Sequence, residues 1–186
     1  MSLHRDAVAV LSAWTAPTPE EEALRKEFLD HLRAHDDAMS RACVPGHLTA
    51  TTAVLSHDGT QVLLTLHPKA GMWLPMGGHC EVSDTSLAAA ALREAWEESG
   101  ISGLELLPGP LAVDKHVVWC HPPNSWHLDV EYAAVAPPGA EAVISEESLD
   151  LRWFPVDEIP DPSDEATRRL AKRGQAVLGS GSRALG

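Results

Sequence analysis

The pattern of hydrophobic and polar residues along the chain includes two short stretches, rich in threonine and aliphatic residues, on either side of a turn signal. His47 to Ser56 alternates in part between apolar and polar residues, and Gln61 to His67 resumes the pattern after Asp58-Gly59. An Asp-Gly pair between two such stretches is a strong β-hairpin signal, because its residues tolerate the positive φ angles of the tightest turns. The pattern therefore predicts a hairpin that opens a β-rich region.

Three other stretches carry the start and stop signals of helices. Thr18 is an N-cap candidate followed by proline and three acids, which predicts a helix that runs to about Ser40. A second helix is predicted to begin near Ser86 and to end at Gly100, a residue that readily adopts the left-handed conformation of a helix end. A third helix is predicted over about 164–178.

Short strands and turns fill the remaining length. The segments with strand patterns are Leu104–Leu107, Ala112–Cys120, His127–Ala136 and Leu151–Phe154, and a turn of helix is predicted near Val156–Ile159. Strands mixed with a few helices predict an α/β sandwich around a mixed β-sheet. The predicted organisation is a helical N-terminal extension (1–46), a central domain (47–162) and a C-terminal helix with a flexible tail (163–186).

Charge narrows the range of partners. The 186 residues include 27 acids against 14 lysines and arginines, which gives a formal net charge of -13. Such a chain is a poor candidate for long nucleic acids, whose binding requires cations that displace counterions, and for anionic membrane surfaces. Small phosphorylated substrates stay possible, because a bound divalent metal reverses the local charge.

Cysteine usage and the N-terminus point to the cytoplasm. Cys43, Cys80 and Cys120 are too few and too scattered for a disulfide framework, and no two of them form a C-x-x-C zinc pair. The first ten residues lack the apolar core of a secretory signal, and no apolar run is long enough to span a bilayer.

The helix predicted before Gly100 carries an unusual cluster of acids. At 100° per residue, Glu94, Glu97 and Glu98 share a face roughly 100° wide, where like charges repel. A hard divalent cation such as Mg²⁺ or Mn²⁺ would explain this cluster, because such ions prefer oxygen ligands. Arg93 can pair with Glu97 or contact a phosphate, and Trp96 lies on another face, where it is predicted to pack. The alternative is a solvated acidic face.

The residues before this helix favour the metal interpretation. Gly77-Gly78 leads into a loop that contains Glu81 and Asp84. Paired glycines let backbone carbonyls and amides approach a metal or phosphate closely.

The whole segment resembles the Nudix box of Nudix hydrolases. Gly78 is followed by five residues, Asp84, eight residues and then Arg93-Glu94-Ala95-Trp96-Glu97-Glu98-Ser99-Gly100-Ile101. The family pattern has glutamate in the place of Asp84 and one residue fewer before Arg93. Trp73-Leu74-Pro75 before the glycines is also similar to the family, and the resemblance covers roughly residues 47–160.

This resemblance implies a Nudix-type α/β/α sandwich and hydrolysis of a diphosphate linkage in a nucleoside diphosphate derivative, with water attacking phosphorus. The cofactor implied is Mg²⁺ or Mn²⁺. The implied metal ligands are Glu94, Glu97 and Glu98, with the Gly78 carbonyl as a fourth candidate, and Arg93 belongs to the same catalytic set. The general base is either one of these glutamates or a later loop residue, for which Glu146 and Glu147 are candidates; a solvated acidic turn is the alternative for that pair.

Histidines and tryptophans supply further candidates for substrate binding. The chain has ten histidines and six tryptophans. His79 follows the two glycines, and Asp114-x-His116 and His127-x-Asp129 lie on strands predicted to be neighbours. A histidine beside an aspartate either binds a metal or phosphate or satisfies a strand end. The substrate-binding candidates are His79, Glu81, Trp119, Trp126, His127 and Asp129, with Trp119 and Trp126 either stacking on a nucleobase or forming a cross-strand pair.

Two other functions stay open. One is a Nudix-fold ligand-binding or regulatory module without turnover. The other is an enzyme similar to isopentenyl-diphosphate isomerase, whose metal site uses a Gly-His step here; the catalytic cysteine of that family would stand at Gly77, where this chain has none.

The helical extension either supports a homodimer or covers the pocket. ADP-ribose-like compounds, nucleotide sugars and damaged nucleoside triphosphates all stay possible as substrates.

Overall fold

A computed structural model describes residues 2–118, 125–145 and 148–182. Within these ranges the helices are α1 (Leu3–Ala13), α2 (Pro19–Ala34), α3 (Leu87–Ser99) and α4 (Glu165–Ser182). The strands are β1 (Gly46–Leu55), β2 (Gln61–His67), β3 (Met72–Leu74), β4 (Met76–His79), β5 (Glu105–Leu106), β6 (Ala112–Val118), β7 (Ser125–Val135) and β8 (Leu151–Pro155).

The strands form one mixed sheet with β1 and β7 at its centre. These two strands run parallel along ten residue pairs, from Gly46 opposite Trp126 to Leu55 opposite Val135. The other pairings are antiparallel: β2 and β4 with β1, β5 and β6 with β7, and β3 and β8 with β2. The predicted mixed sheet is confirmed.

Helices cover both faces of this sheet. The face that includes Leu48 and Leu128 packs against the buried residues of α1, α2 and α3, and we call it the α3 face. The opposite face carries Leu55 and Ala133 and packs against α4, and we call it the α4 face. Gly174 allows the close approach of α4, because a Cβ there would lie 2.8 Å from the Cβ of Ala133. The predicted α/β/α sandwich is therefore confirmed.

Local signals located most elements, with four differences. Helix α4 continues to Ser182, four residues beyond the predicted end at residue 178 and into the predicted flexible tail. Helix α2 ends at Ala34 rather than near Ser40, because His35 takes an extended conformation and the chain then turns toward β1. Near Val156–Ile159 the chain makes a single hydrogen-bonded turn rather than the predicted turn of helix, and both end residues of that segment are buried in the core beside α4. Strands β3 and β4 were not predicted, because they are short and β4 contains two glycines.

The N-terminal helices pack onto the first turn of α3. Asp6 in α1 accepts a hydrogen bond from the backbone amide of Leu87 at 2.8 Å, and Ser86 accepts one from the amide of Ala89 at 3.0 Å. Both bonds satisfy amides that a helix leaves without internal partners, and a negative charge at a helix N-terminus is favourable. The extension thus contributes directly to the end of the acidic helix.

A second contact joins the extension to the C-terminal helix. Arg173 in α4 donates to Glu21 in α2 at 2.8 Å and to the carbonyl of Leu111 at 3.0 Å. Burial alone would raise the pKa of Glu21, but hydrogen bonds from Arg173 and the nearby charges of Arg173 and Arg169 lower it below its ordinary value. The ion pair links helices from opposite ends of the chain.

Two sequence-based expectations concern thiols and membranes. Cys43 and Cys80 are free thiols, and Cys120 lies outside the described residues. Among the helices that the structure describes, none combines the length and the apolar character that crossing a bilayer requires.

Replacing Asp6 by alanine should destabilise the fold. The amide of Leu87 would lose its acceptor, which costs about 1 kcal/mol for a helix cap. Urea unfolding of the wild type and Asp6→Ala measures this difference. Asp30→Ala, which removes an exposed acid from α2, is the matched control and should change the free energy of unfolding by less than about 0.5 kcal/mol. Equal effects of the two substitutions would contradict the capping role of Asp6.

Candidate metal centre and active site

Helix α3 holds the acidic residues in a fixed orientation. Its first turn is capped by Ser86, and Gly100 ends it with a φ of 66°, in the left-handed region that favours glycine. The fully buried Leu87, Ala91 and Ala95 form the side that packs against the sheet. Glu94 and Glu98 border this side of the helix and face strand β4, whereas Glu97 is exposed.

The strand before the helix lies against two of these glutamates. A Cβ placed on Gly78 would lie 2.8 Å from both carboxylate oxygens of Glu94, so only glycine leaves room for them here. The neighbouring amide of Gly77 donates to Glu98 at 3.4 Å. Strand β4 and helix α3 thus bring backbone atoms and carboxylates together at the place that the glycine pair predicts.

Arg93 connects the parts of this site. Its guanidinium group donates to both oxygens of Asp84 at 3.0 Å, to Glu94 at 2.9 Å and to Glu97 at 3.1 Å. It also donates to the carbonyl of His79 at 2.9 Å. Hydrogen bonding to Asp84 raises the pKa of Arg93, so the group stays charged. One cation therefore offsets the repulsion within the acidic face and ties helix, loop and strand together.

The extra residue before Arg93 leaves Asp84 in contact with it. The buried Asp84 forms a two-bond pair with the guanidinium and also accepts from the amide of Glu81 at 2.7 Å. Burial alone would raise the pKa of Asp84, but these hydrogen bonds outweigh burial and lower the pKa below its ordinary value. The shorter side chain of aspartate and the longer loop thus still complete the contact.

The donor set fits a hard divalent cation. Glu94, Glu97 and Glu98 offer carboxylate oxygens from one helix, and the side chain of Glu97 is 46% exposed, so it is accessible to a ligand. The gap at Gly78 keeps its backbone within reach of Glu94. Mg²⁺ and Mn²⁺ prefer such oxygen ligands, and substrate phosphates commonly complete their coordination.

Three of the predicted substrate-binding residues lie on the α4 face. His79 and His127 have ring centroids 5.1 Å apart, and the buried Asp129 accepts from Thr49 at 2.8 Å. Burial raises the pKa of Asp129. This polar group is connected to the glutamate site through the sequence, because His79 directly follows Gly78.

Sequence reasoning missed other members of this polar group. His47 is fully buried and its ring lies 4.9 Å from that of His127, while Glu131 pairs with Arg169 of α4 at 3.0 Å. Burial and the neighbouring Asp129 raise the pKa of Glu131 to about 8, although Arg169 opposes the shift. The only local signal was the alternation of polar residues in β7, because β1 and β7 are distant in the sequence.

The remaining candidates do not join one surface. Trp126 faces α2, lies under the ammonium group of Lys115 at 4.4 Å and is on the opposite side of β7 from His127 and Asp129. Glu81 is exposed, and its carboxylate accepts from Ser83 at 3.3 Å. Trp119, Glu146 and Glu147 lie outside the described residues.

The prediction that Trp96 packs in the core is wrong. Its side chain is 53% exposed, next to Leu92 and Ile101. The small residues Ala91 and Ala95 let α3 lie close to the sheet, and Trp96 is turned away from that contact by one helical step.

Comparisons with known proteins agree with this geometry. The model of the NUDIX domain family matches residues 46–173. A NUDIX-family hydrolase from Clostridium perfringens is 26% identical with a TM-score of 0.57, and the alignment covers 73% of this chain and 99% of that one. For a MutT NUDIX hydrolase from Burkholderia pseudomallei the values are 27%, 0.52, 68% and 95%.

A more distant structure shows the same fold. The dihydroneopterin triphosphate pyrophosphohydrolase of E. coli is 18% identical with a TM-score of 0.56, covering 71% of this chain and 95% of its own. This likeness concerns the architecture alone.

Substituting Gly78 by alanine should displace the Glu94 carboxylate without unfolding the chain, because the side chain can swing away. We expect the affinity for Mn²⁺ to fall about 10–100-fold, as for other changes that misplace a ligand. Calorimetric titration measures this affinity. Gly179→Ala, at a position in α4 with open space, is the control. Unchanged Mn²⁺ affinity in Gly78→Ala would remove Glu94 from the metal centre.

Asp84→Asn should lower the free energy of unfolding in metal-free buffer by roughly 1–3 kcal/mol near neutral pH, because Arg93 loses a charged acceptor. Since the folded-state pKa of Asp84 lies below its unfolded-state value, this contribution is present above the unfolded-state pKa and is lost as the pH falls through the folded-state pKa. Denaturant unfolding of both proteins across pH tests the sign. A difference that stays constant down to the acid limit would rule out the charged pair.

Proposed function

The chain belongs to the Nudix hydrolase family, and from this membership we propose that it hydrolyses a diphosphate linkage in a nucleoside diphosphate derivative. The observation that carries the proposal is the joint presence of three glutamates on α3, the close approach of Gly78 to Glu94 and the pairing of Arg93 with Asp84. Together they place charged oxygens and backbone groups at one edge of the sheet.

We assign the metal ligands to this group of oxygens. Glu94, Glu97 and Glu98, with the carbonyl of Gly78, would hold Mg²⁺ or Mn²⁺. When bound there, such an ion offsets phosphate charge and lowers the pKa of a coordinated water.

The protein groups around the site have separate tasks. Arg93 is already engaged by Asp84, so its main role in this proposal is to hold Glu94 and Glu97 in place. Glu97 is the most exposed of the three helix glutamates and is therefore the one most open to substrate and water. The general base is then one of the helix glutamates or else Glu146 or Glu147, which precede β8 in the sequence.

The net charge of -13 favours a small diphosphate over a long nucleic acid. His79 directly follows Gly78 in β4 but lies on its other face, and with His127 and Asp129 it stays a candidate for substrate contacts beyond the phosphates. The substrate classes included in this proposal are ADP-ribose-like compounds, nucleotide sugars and damaged nucleoside triphosphates. A homodimer through the helical extension stays compatible with this proposal.

Two alternatives have specific observations against them. A binding module without turnover has no need for three repelling carboxylates beside an ordered arginine. For an isomerase-like reaction, Gly77 occupies the place of the catalytic cysteine, and the nearest thiol, Cys80, packs against the α3-face core. Burial raises the pKa of that thiol to about 12, which makes it a poor proton donor or nucleophile.

The test is a panel of nucleoside diphosphate derivatives assayed for phosphate-containing products with Mg²⁺ or Mn²⁺ and with a chelator. We expect metal-dependent turnover that falls about 10²–10³-fold in Glu97→Gln and Glu98→Gln, because each change removes a charge that stabilises the transition state. Glu105→Gln, at an exposed glutamate of β5, is the control. Full activity in both helix variants would overturn the metal assignment, and ligand binding without any turnover would favour the binding module.

A further inference from the structure

Three histidines from three strands meet on the α4 face, and we call them the histidine cluster: His47 of β1, His79 of β4 and His127 of β7. His47 lies directly opposite His127 in the parallel pairing of β1 with β7. His79 lies opposite Thr49 in the antiparallel pairing of β1 with β4, two residues from His47. Residues two apart in a strand point to the same side, so the register alone brings the three imidazoles together.

The three imidazole rings lie nearly close enough together to bind one metal ion. The ring centroids are 5.0 Å apart for His47 and His79, 4.9 Å for His47 and His127, and 5.1 Å for His79 and His127. One nitrogen from each ring lies within 4.8 Å of the others. A zinc ion with bonds of about 2.0–2.1 Å to nitrogen needs these atoms to move together by less than about an ångström each.

The rings are held by rigid backbone. His47 is fully buried, and His79 and His127 are partly buried. All three belong to strands of the central sheet, so their Cα positions are fixed by ladder hydrogen bonds rather than by a loop. Functional groups on strands are positioned more accurately than groups on loops.

Acidic residues lie beside the cluster on the same face. Asp129 and Glu131 are buried two and four residues beyond His127 in β7. His116 of β6, whose ring lies 5.3 Å from that of His127, is held by Asp114 at 3.0 Å. Arg169 of α4 pairs with Glu131 at 3.0 Å. Carboxyl groups beside a metal-binding imidazole commonly accept its second ring N–H and so orient the ligand.

We propose that His47, His79 and His127 bind a divalent transition-metal ion of the zinc type, separate from the carboxylates of α3. Imidazole nitrogen suits zinc, copper, nickel and iron, whereas carboxylate and carbonyl oxygens suit magnesium and manganese. Gly78 and His79 are adjacent residues, but they lie on opposite faces of β4, because Gly78 approaches Glu94 of α3 and His79 approaches His127. Three protein ligands leave a fourth position for water or an anionic group of a ligand.

Calorimetric titration of the metal-free full-length chain with Zn²⁺ tests the site directly. His79→Asn and His127→Asn should each lower the Zn²⁺ affinity by at least about 10–100-fold, since loss of a ligand exceeds the effect of a change around it. His57→Asn, which alters an exposed histidine in the hairpin between β1 and β2, is the matched control and should leave the affinity unchanged. Thermal unfolding without metal checks that each variant folds.

A second pair of measurements separates this site from the glutamates. Glu97→Gln should weaken Mn²⁺ binding and leave Zn²⁺ binding intact, and His79→Asn should do the reverse. On the wild-type chain, Zn²⁺ should raise the melting temperature and shift the imidazole nitrogen resonances of three histidines, which requires no variant. Absence of Zn²⁺ binding in the wild type, full Zn²⁺ affinity in both histidine variants, or loss of Zn²⁺ binding only in Glu97→Gln would overturn the proposal.

Discussion

The arrangement of the acidic helix depends on one guanidinium group surrounded by carboxylates. Without Arg93, the three glutamates of the helix would repel each other and the loop that precedes α3 would lose its ion pair with the helix. With it, Asp84 anchors the guanidinium on one side while Glu94 and Glu97 are held on the other. The same group reaches the carbonyl of His79 and so fixes the end of β4 against the helix. The hydrogen bonds that compensate these charges therefore also hold the helix, the loop and the strand together.

Strand β4 divides the chemistry of the molecule between two faces. It is four residues long, yet Gly78 contacts the oxygen donors of α3 and His79 contacts the imidazoles of the α4 face. Successive residues of a strand face opposite sides of the sheet. Adjacent residues can therefore belong to two sites with different metal ligands, without competing for one ion. The buried acids Asp129 and Glu131 then lie with the imidazoles rather than with the glutamates.

Short-range signals located the helices better than they located the contacts between strands. Ser86 and Gly100 define α3 by local capping chemistry, and the position of Glu94 on it follows from helical periodicity alone. His47 could not be assigned to a site in the same way, because its place beside His127 depends on the register of two strands that are distant in the sequence. Trp126 shows the same limit, since its side of β7 is decided by packing against α2.

The capping contact between Asp6 and Leu87 makes the folding unit larger than the region that defines the family. The family match begins at residue 46, but the first amide of the acidic helix is satisfied by a side chain forty residues before that limit. A chain trimmed to the matched region would keep every residue of the motif and lose an acceptor at the end of the helix that presents it. The region shared with the family therefore differs from the region that stabilises the acidic helix, and the N-terminal helices belong only to the latter.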